Sequence, residues 1–278
     1  MKMMRFYQEL ISTNNKLAHK DSEFSLSISN WYKKNGRENL PWREDVSPYR
    51  IWISEVMLQQ TQVKTVIPFF NSFISHYPNL NKLSYASEEN ILALWTGLGF
   101  YRRARNIYKA KEVIKANFNN EFPTKFNEII SLPGVGDSTA GAIMSIAYKE
   151  SYPILDANVK RVISRYEGVV NDSSSSSIKE LWTLSRKHTP LKSIFEYTQG
   201  IMDIGATICN TKTPECKICP VHRSCVSAFS TIEKRRWEPV LDGLLEEGKF
   251  ILDLDISAFG VKEFKIPDKY KKRKRIAR

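Results

Sequence analysis

"LPGVGDSTAGAI", residues 132–143, decides the fold, because it predicts a tight turn between two helices. Pro133 and two glycines two positions apart, Gly134 and Gly136, favour a hairpin, and helical spacing resumes directly after Gly136. Successive backbone N–H groups in such a turn point outward beside the positive end of the helix dipole, which suits a phosphate oxygen. A glycine-rich turn between helices is also common without any ligand, so both interpretations stay open.

The pattern on both sides of this hairpin is helical. Strand signals are few, and strict alternation of apolar and polar residues occurs only in "KFILDLDIS", residues 249–257. The fold class that we predict is therefore all-α, with a short mixed extension at the C-terminus. Apolar residues at spacings of three and four predict helices over residues 50–63, 89–95, 103–117 and 138–148.

Composition narrows the function classes. The 278 residues are 42% hydrophobic, enough to bury a core, and the formal net charge of +12 suits a polyanionic partner or an acidic membrane surface. A merely soluble basic protein is the alternative, and the basic tail at 262–278 is either a solvated segment or a nucleic-acid arm. No apolar run approaches the roughly 18 residues of a membrane span and no signal peptide is visible. We expect a cytoplasmic protein without a membrane partner, or a nuclear or organellar one in a eukaryote.

Four cysteines, the only ones in the chain, lie within 17 residues as C-x6-C-x2-C-x5-C. Disulfides are not expected in an intracellular helical protein, and four thiols in one short segment are typical of a metal site. Zinc and a cubane iron-sulfur cluster both accept four cysteines, so the ligand count leaves both open. The candidate ligands are Cys209, Cys216, Cys219 and Cys225.

A lone carboxylate occupies an apolar helical segment in "SEVMLQQTQV", residues 54–63. Ile51 and Leu58 would share the helix face of Glu55, so its carboxyl would be desolvated and its pKa raised. A protonated carboxyl near neutrality can act as a general acid. The alternative is a glutamate that pairs with a buried arginine or lies at a helix terminus.

A second acid, Asp156, lies in "ILDANVKRV", residues 154–162. Asn158, Lys160 and Arg161 follow it, and an ionised acid in such company can stabilise an oxocarbenium-like transition state. Two acids in unlike environments suggest cleavage of a glycosidic bond. The sequence does not give the distance between them.

Six motifs occur together in an order that resembles the adenine DNA glycosylase (MutY) family, a group of helix-hairpin-helix glycosylases that includes endonuclease III. The resemblance covers about residues 24–228, and six motifs in order leave little room for chance. The motifs are "LPWR" (40–43), "PYRIWISEVMLQQTQV" (48–63), "LWTGLGFYRRARN" (94–106), the hairpin stretch, "ILDANVKRV" and the cysteine segment.

The resemblance implies a two-lobed helix-hairpin-helix DNA glycosylase fold with an iron-sulfur cluster loop. The four cysteines would hold a structural [4Fe-4S] cluster, and double-stranded DNA would lie across the cleft between the lobes. The domains that it implies are an N-terminal extension (1–23), a cluster lobe (24–45 with 151–228), a six-helix barrel module containing the hairpin (46–150), and a short C-terminal extension with the basic tail (229–278).

The resemblance also assigns roles to individual residues. Glu55 matches the general acid that protonates adenine, and Asp156 matches the acid that stabilises positive charge on the sugar. Gln60 with Phe100 or Tyr101 resembles the wedge that fills the stack when a base is flipped out, and Trp42 and Arg43 resemble pocket walls. The full set implied at the substrate is Trp42, Arg43, Gln60, Phe100, Tyr101, Ser138 and Asn158, with Gly134, Gly136 and Lys160 at the DNA backbone.

The sequence differs from related glycosylases at three places, and each difference supports a prediction. Ser138 stands where the lyase members of the group have a catalytic lysine, which predicts base removal without efficient strand cleavage. Ala157 stands where the family usually has glycine, and its methyl group would add strain if that backbone needed a positive φ. The 53 residues after Cys225 are too few for the MutT-like domain that typical members use to recognise 8-oxoguanine, which predicts weaker selectivity for that base.

The sequence therefore predicts a monomeric, monofunctional DNA N-glycosylase of base excision repair that removes adenine mispaired with 8-oxoguanine or guanine. One alternative is a thymine glycosylase acting on G·T mispairs, and another is a lesion-binding protein without turnover. The presence of both acids argues against the binding-only alternative, because binding requires neither.

Overall fold

The computed structural model describes residues 21–169, 171 and 174–228, and all regular secondary structure in this part is helical. A short 3-10 turn, Cys216–Ile218, lies in the cysteine segment. The all-α prediction is confirmed for these residues, while the predicted strand at 249–257 lies outside them. The helices are α1 (Glu23–Asn35), α2 (Pro41–Glu44), α3 (Pro48–Leu58), α4 (Val63–His76), α5 (Leu80–Leu83), α6 (Glu88–Trp95), α7 (Arg102–Asn117), α8 (Phe126–Ile129), α9 (Asp137–Ile146), α10 (Ala157–Glu167), α11 (Ser175–His188) and α12 (Ile194–Thr207).

Local sequence signals set most helix starts. Ser47 caps α3, its hydroxyl accepting the N–H of Arg50, and Pro48 occupies the first helical position. Ser87 caps α6 in the same way, through the N–H of Asn90. Helices α6, α7 and α9 agree with their predicted ranges to within two residues.

The predicted helix over residues 50–63 is wrong in extent. Helix α3 ends at Leu58, and α4 begins only at Val63. Between them residues 59–62, here called the glutamine turn, reverse the chain, and Gln60 adopts a left-handed φ of 57°. Apolar spacing did not reveal the break, because the pattern resumes in α4.

The helices pack around the hairpin helix α9. Helices α1 and α10 pack on α12, and α11 packs on α10, while α4 and α7 pack on α3. Helix α9 contacts both α3 and α12, so it connects these two groups. The described residues up to Val226 belong to one compact unit. The boundary between the predicted lobes at 45/46 and 150/151 stays a prediction.

The hairpin itself has the predicted form. Gly134 has a φ of +81°, a backbone conformation that favours glycine. A Cβ there would also lie 2.7 Å from the side chain of Asn106, so both the backbone and the available space require glycine. Gly136 is the N-cap of α9, and a Cβ added to it would meet no atom within 4 Å. The turn therefore presents an open backbone surface at the start of α9.

Helix α9 also lies close to the segment that leads to Asp156. A Cβ on Gly141 would lie 2.3 Å from the carbonyl oxygen of Pro153, so only glycine allows this approach. Among the residues that the structure describes, none of the helices is long and apolar enough to cross a membrane.

Candidate active site

Glu55 lies on α3, between the buried side chains of Ser54 and Val56, and is itself only partly exposed. Burial, and after it the negative charge of Asp156, raise the pKa of Glu55 to about 8, while the positive charge of Arg43 opposes the shift. The carboxyl is thus protonated at neutral pH, as the apolar helix predicted. The influence of Asp156 also shows that the two acids share one site, although they lie 101 positions apart in the chain.

Asp156 is the N-cap of α10. The backbone N–H of Val159 donates to its Oδ1 at 2.7 Å. Burial raises the pKa of Asp156, and the hydrogen bonds from the N–H groups of Val159 and Asn158 and the charge of Arg161 oppose that rise. The concern about Ala157 does not hold, because this exposed residue begins α10 and is not among the described residues with a positive φ.

Ser138 fixes the chain just before Asp156. Its hydroxyl oxygen accepts the backbone N–H of Leu155 at 3.0 Å, joining the first turn of α9 to the residue next to the acid. From the glutamine turn that follows α3, the side-chain amide of Gln59 donates to the hydroxyl of Thr139 at 3.5 Å. The hairpin helix therefore contacts both chain segments that carry the acids. The predicted contact of Ser138 with substrate stays a prediction.

Arg43 is held by a buried carboxylate that sequence reasoning missed. Asp203, on α12 and fully buried, accepts two hydrogen bonds from Arg43, each at 2.9 Å, and further ones from the side chain and backbone N–H of Arg37. Burial works to raise the pKa of Asp203, but hydrogen bonds from Arg43 and the charges of both arginines outweigh it and hold the pKa below its usual value. Arg43 lies near enough to Glu55 to affect its pKa. Trp42 is buried and packs edge-on against Phe70, so its side chain belongs to the core; its role as a pocket wall stays a prediction.

The predicted wedge residues lie at the surface. Phe100 is 57% exposed and Tyr101 40% exposed, and Gln60 is exposed in the glutamine turn. Phe100, like Gln60, has a left-handed backbone, with a φ of 49°. Gly97 and Gly99, both with positive φ, belong to the same short segment, residues 97–101, here called the aromatic loop.

Hydrogen bonds from Arg161 link the start of α10 to the cysteine segment. Arg161 donates to the side-chain oxygen of Asn158 at 2.8 Å and to the carbonyl oxygens of Gly205 and Cys209, the latter at 2.7 Å. A Cβ on Gly205 would lie 2.6 Å from Asn158, so glycine lets α12 approach the start of α10. Asn158 thus has a structural partner as well as its predicted contact with substrate. Lys160, the predicted backbone contact, is partly buried on α10.

All four cysteines are free thiols and partly buried. No group of three or more possible ligands among the described residues is gathered closely enough to hold a metal ion. Cys209 and Cys216 nevertheless lie near enough to Cys219 to affect its pKa, which burial, as the first cause, raises to about 11. Arg165 donates to the sulfur of Cys209 at 3.4 Å and accepts, through its carbonyl, the thiol of Cys225 at 3.4 Å. Four unoxidised thiols around one short loop are a donor set that fits a four-cysteine cluster.

Comparison with known proteins agrees with this geometry. Residues 53–187 match the family described as "HhH-GPD superfamily base excision DNA repair protein". Residues 53–187 therefore form a domain of this family. The match contains Glu55, the hairpin and Asp156.

Curated relatives extend the likeness. The chain is 49% identical over 205 residues to the adenine DNA glycosylase of Buchnera aphidicola from Schizaphis graminum, covering 73% of this chain and 59% of that protein. It is 36% identical over 212 residues to the human adenine DNA glycosylase, covering 73% of this chain and 39% of that protein. The chain thus spans about three-fifths of the length of the Buchnera relative.

Solved structures show the same fold. A thermostable thymine-DNA glycosylase matches with a TM-score of 0.67 at 27% identity, covering 74% of this chain and 95% of that one. A non-covalent endonuclease III–DNA complex matches with a TM-score of 0.64 at 22% identity, covering 76% of this chain and 95% of that one. The helix-hairpin-helix glycosylase fold predicted for this chain is confirmed.

Two buried residues of the site region escaped sequence reasoning. Asp203 carries a signal like that of Glu55, an acid flanked by apolar residues in the helical stretch "GIMDIGATI", and could have been found by it. Arg103 carries no such signal, because it stands among basic residues in "FYRRAR" and looks like part of a solvated face. The described site thus consists of two acids, Glu55 in protonated form and Asp156, carried by α3 and by the start of α10, with α9 in contact with both segments.

Proposed function

We propose that this chain is a monofunctional DNA glycosylase that removes adenine from mispairs with 8-oxoguanine or guanine and acts as a monomer. The observation that carries the proposal is the pairing of Glu55, whose pKa is about 8, with Asp156 in one site. A protonated carboxyl beside a second acid is the arrangement that cleavage of a glycosidic bond needs.

Glu55 acts first in the proposed reaction. Its proton passes to a ring nitrogen of the extruded adenine, so that the base leaves as a neutral molecule when the bond to the sugar breaks. The oxocarbenium-like sugar carries positive charge, and Asp156 stabilises it once ionised. Water then adds to the sugar carbon, its released proton returns to the Glu55 carboxylate, and an abasic site results. Ser138 offers no amine for a Schiff base, so strand cleavage does not follow.

Residues on the surface bind the DNA in this proposal. The open backbone at Gly134 and Gly136, at the start of α9, takes a phosphate, and Lys160 contributes a positive charge to DNA-backbone binding. Gln60, Phe100 and Tyr101 fill the gap that the extruded base leaves.

The cysteine segment takes a [4Fe-4S] cluster in this proposal. Cys209, Cys216, Cys219 and Cys225 would hold it, and a cluster with all four ligand positions filled by protein supplies structural support rather than hydrolysis. Anaerobically purified protein should be brown, absorb broadly near about 400 nm and contain about four iron atoms per chain. A colourless protein with one zinc would contradict the assignment.

The pH dependence of base release follows from Glu55. The acid must be protonated to act, so the rate should be high below its pKa of about 8 and fall as the pH rises through that value. Single-turnover rates between pH 5.5 and 9.5 should fall about tenfold per unit above the pKa. A rate that stays level up to pH 9.5 would show that Glu55 is not the proton donor.

The substrate proposal is tested by single-turnover base release from matched duplexes containing A·8-oxoguanine, A·G and T·G, with alkali added afterwards to reveal abasic sites. Release confined to adenine strands supports the proposal, and the rate ratio of the first two duplexes measures selectivity for 8-oxoguanine. Release of thymine would favour the activity named for the structure with a TM-score of 0.67. The 49% identity to an adenine glycosylase favours adenine.

A further inference from the structure

Two exposed residues with left-handed backbones lie in different segments of the fold. Gln60 forms the tip of the glutamine turn and Phe100 that of the aromatic loop, and each holds a left-handed φ, 57° and 49°. A left-handed backbone is unfavourable for a residue other than glycine, so neighbouring structure must hold both tips in place.

One buried side chain bonds to both segments. Arg103, in the first turn of α7 and 7% exposed, donates through Nη1 to the carbonyl oxygen of Gln59 at 2.6 Å. Through Nη2 it donates to the hydroxyl of Thr61 at 3.0 Å and to the carbonyl oxygen of Gly99 at 3.1 Å. Gln59 and Thr61 flank the first tip, and Gly99 precedes the second.

Ring contacts complete the arrangement. The guanidinium carbon of Arg103 lies 5.4 Å from the ring centre of Trp95 and 5.3 Å from that of Phe100. Trp95 is buried, and its indole N–H donates to the same Gly99 carbonyl at 3.0 Å. The guanidinium thus connects a fixed core ring to the exposed ring at the tip.

We propose that Arg103 is a positioning residue that joins the glutamine turn and the aromatic loop into one rigid element, so that Gln60 and Phe100 enter the duplex together when a base is extruded. The inference rests on the proposed function. A planar guanidinium can bond several acceptors at fixed angles, whereas a lysine ammonium offers three donors at a single point.

A simpler role for Arg103 would be to cap α3. Its Nη1 also donates to the carbonyl oxygens of Val56 and Met57, in the last turn of that helix. Loss of a cap alone would lower stability without any particular effect on base extrusion. The test must therefore separate extrusion from folding and from general DNA binding.

The test measures base extrusion without chemistry. The Glu55→Gln protein is mixed with a duplex that carries 2-aminopurine next to an adenine opposite 8-oxoguanine, and the fluorescence rise reports unstacking. Adding Arg103→Lys should slow or reduce that rise at least about tenfold, because small displacements of positioned groups cost up to about a hundredfold. Affinity for an undamaged duplex should change less than about twofold, since lysine keeps the positive charge.

Arg105→Lys is the matched control, because Arg105 lies on the same helix with its side chain 54% exposed. It should leave the fluorescence rise unchanged. Thr61→Val is a milder second variant, which removes one acceptor of Arg103 and leaves the arginine in place. It should reduce the rise by a smaller factor, and it keeps the test valid if Arg103→Lys folds poorly.

The outcomes separate the two proposals. An undiminished rise in the Arg103→Lys and Thr61→Val proteins would overturn the positioning role while leaving the proposed function intact. If the fluorescence rise, the thermal stability and the duplex affinity all fell by comparable amounts, the positioning role would also be overturned, and Arg103 would act only as a cap of α3. No rise with Glu55→Gln itself on any mispair would overturn the proposed function, and the positioning role with it.

Discussion

Glu55→Gln should lower single-turnover adenine release by roughly a hundredfold to ten-thousandfold, the range that a general acid contributes. Glutamine keeps the shape of the side chain but has no proton to give at neutral pH. Affinity for the mispaired duplex should change little, because binding does not use the proton. Glu180→Gln, the same substitution at an exposed position of α11, should leave release unchanged. Equal loss of binding and release would mean that Glu55 is only structural.

Glu55→Gln should also raise the stability of the folded protein at alkaline pH. The folded-state pKa of Glu55, about 8, lies above the 4.5 of an unperturbed glutamate, so folding favours the protonated form. The folded state is therefore destabilised as the pH rises from about 4.5 through 8, by up to a few kcal/mol. Glu55→Gln removes this penalty, so its Tm should exceed that of the parent at pH 9 and match it near pH 4.5. A Tm below that of the parent at pH 9 would contradict the raised pKa.

Asp156→Asn should lower adenine release by roughly a hundredfold to a thousandfold, by analogy with loss of one electrostatic contact to a transition state. Asparagine caps a helix about as well as aspartate, so it can still accept the N–H of Val159 while the negative charge is lost. Thermal stability should therefore change little. The measurement is single-turnover release at saturating enzyme, with the Tm recorded in parallel.

Comparison of Asp156→Ala with Asp156→Asn separates the effect of the negative charge from the effect of the helix cap. Alanine loses both, and the missing cap should cost about 1 kcal/mol of stability beyond the effect of asparagine. If asparagine kept full activity and only alanine lost it, then Asp156 would matter as a helix cap and not through its charge.

Two parts of the site could be predicted from the residues themselves. The helix containing Glu55 and the hairpin at 132–137 depend on apolar spacing, capping serines and glycines, all of which act over a few residues. The raised pKa of Glu55 follows from the same local pattern, because a carboxyl on an apolar helix face is desolvated wherever that face packs. Family resemblance, rather than spacing, assigned the wedge residues and paired Asp156 with Glu55.

The break between α3 and α4 could not be read in this way. Apolar spacing continues across it, and nothing local marks Gln60 for a left-handed backbone. The turn depends on Arg103, which bonds the carbonyl oxygen of Gln59 from 44 residues away. A contact of that range is created by packing, so it leaves no periodic signal near the turn.

By itself, the sequence determined a helical fold, a glycine hairpin, a buried acid and a four-cysteine segment, because each depends on neighbours within a few positions. Only the tertiary structure decided that Asp156 raises the pKa of Glu55, that Asp203 holds Arg43 beside them, and that Arg103 joins two surface tips. Apart from the local bond between Arg103 and Gly99, these interactions join residues about 40 to 160 positions apart. Their geometry follows from how α3, α7, α9, α10 and α12 pack against one another, and spacing along one helix does not encode that packing.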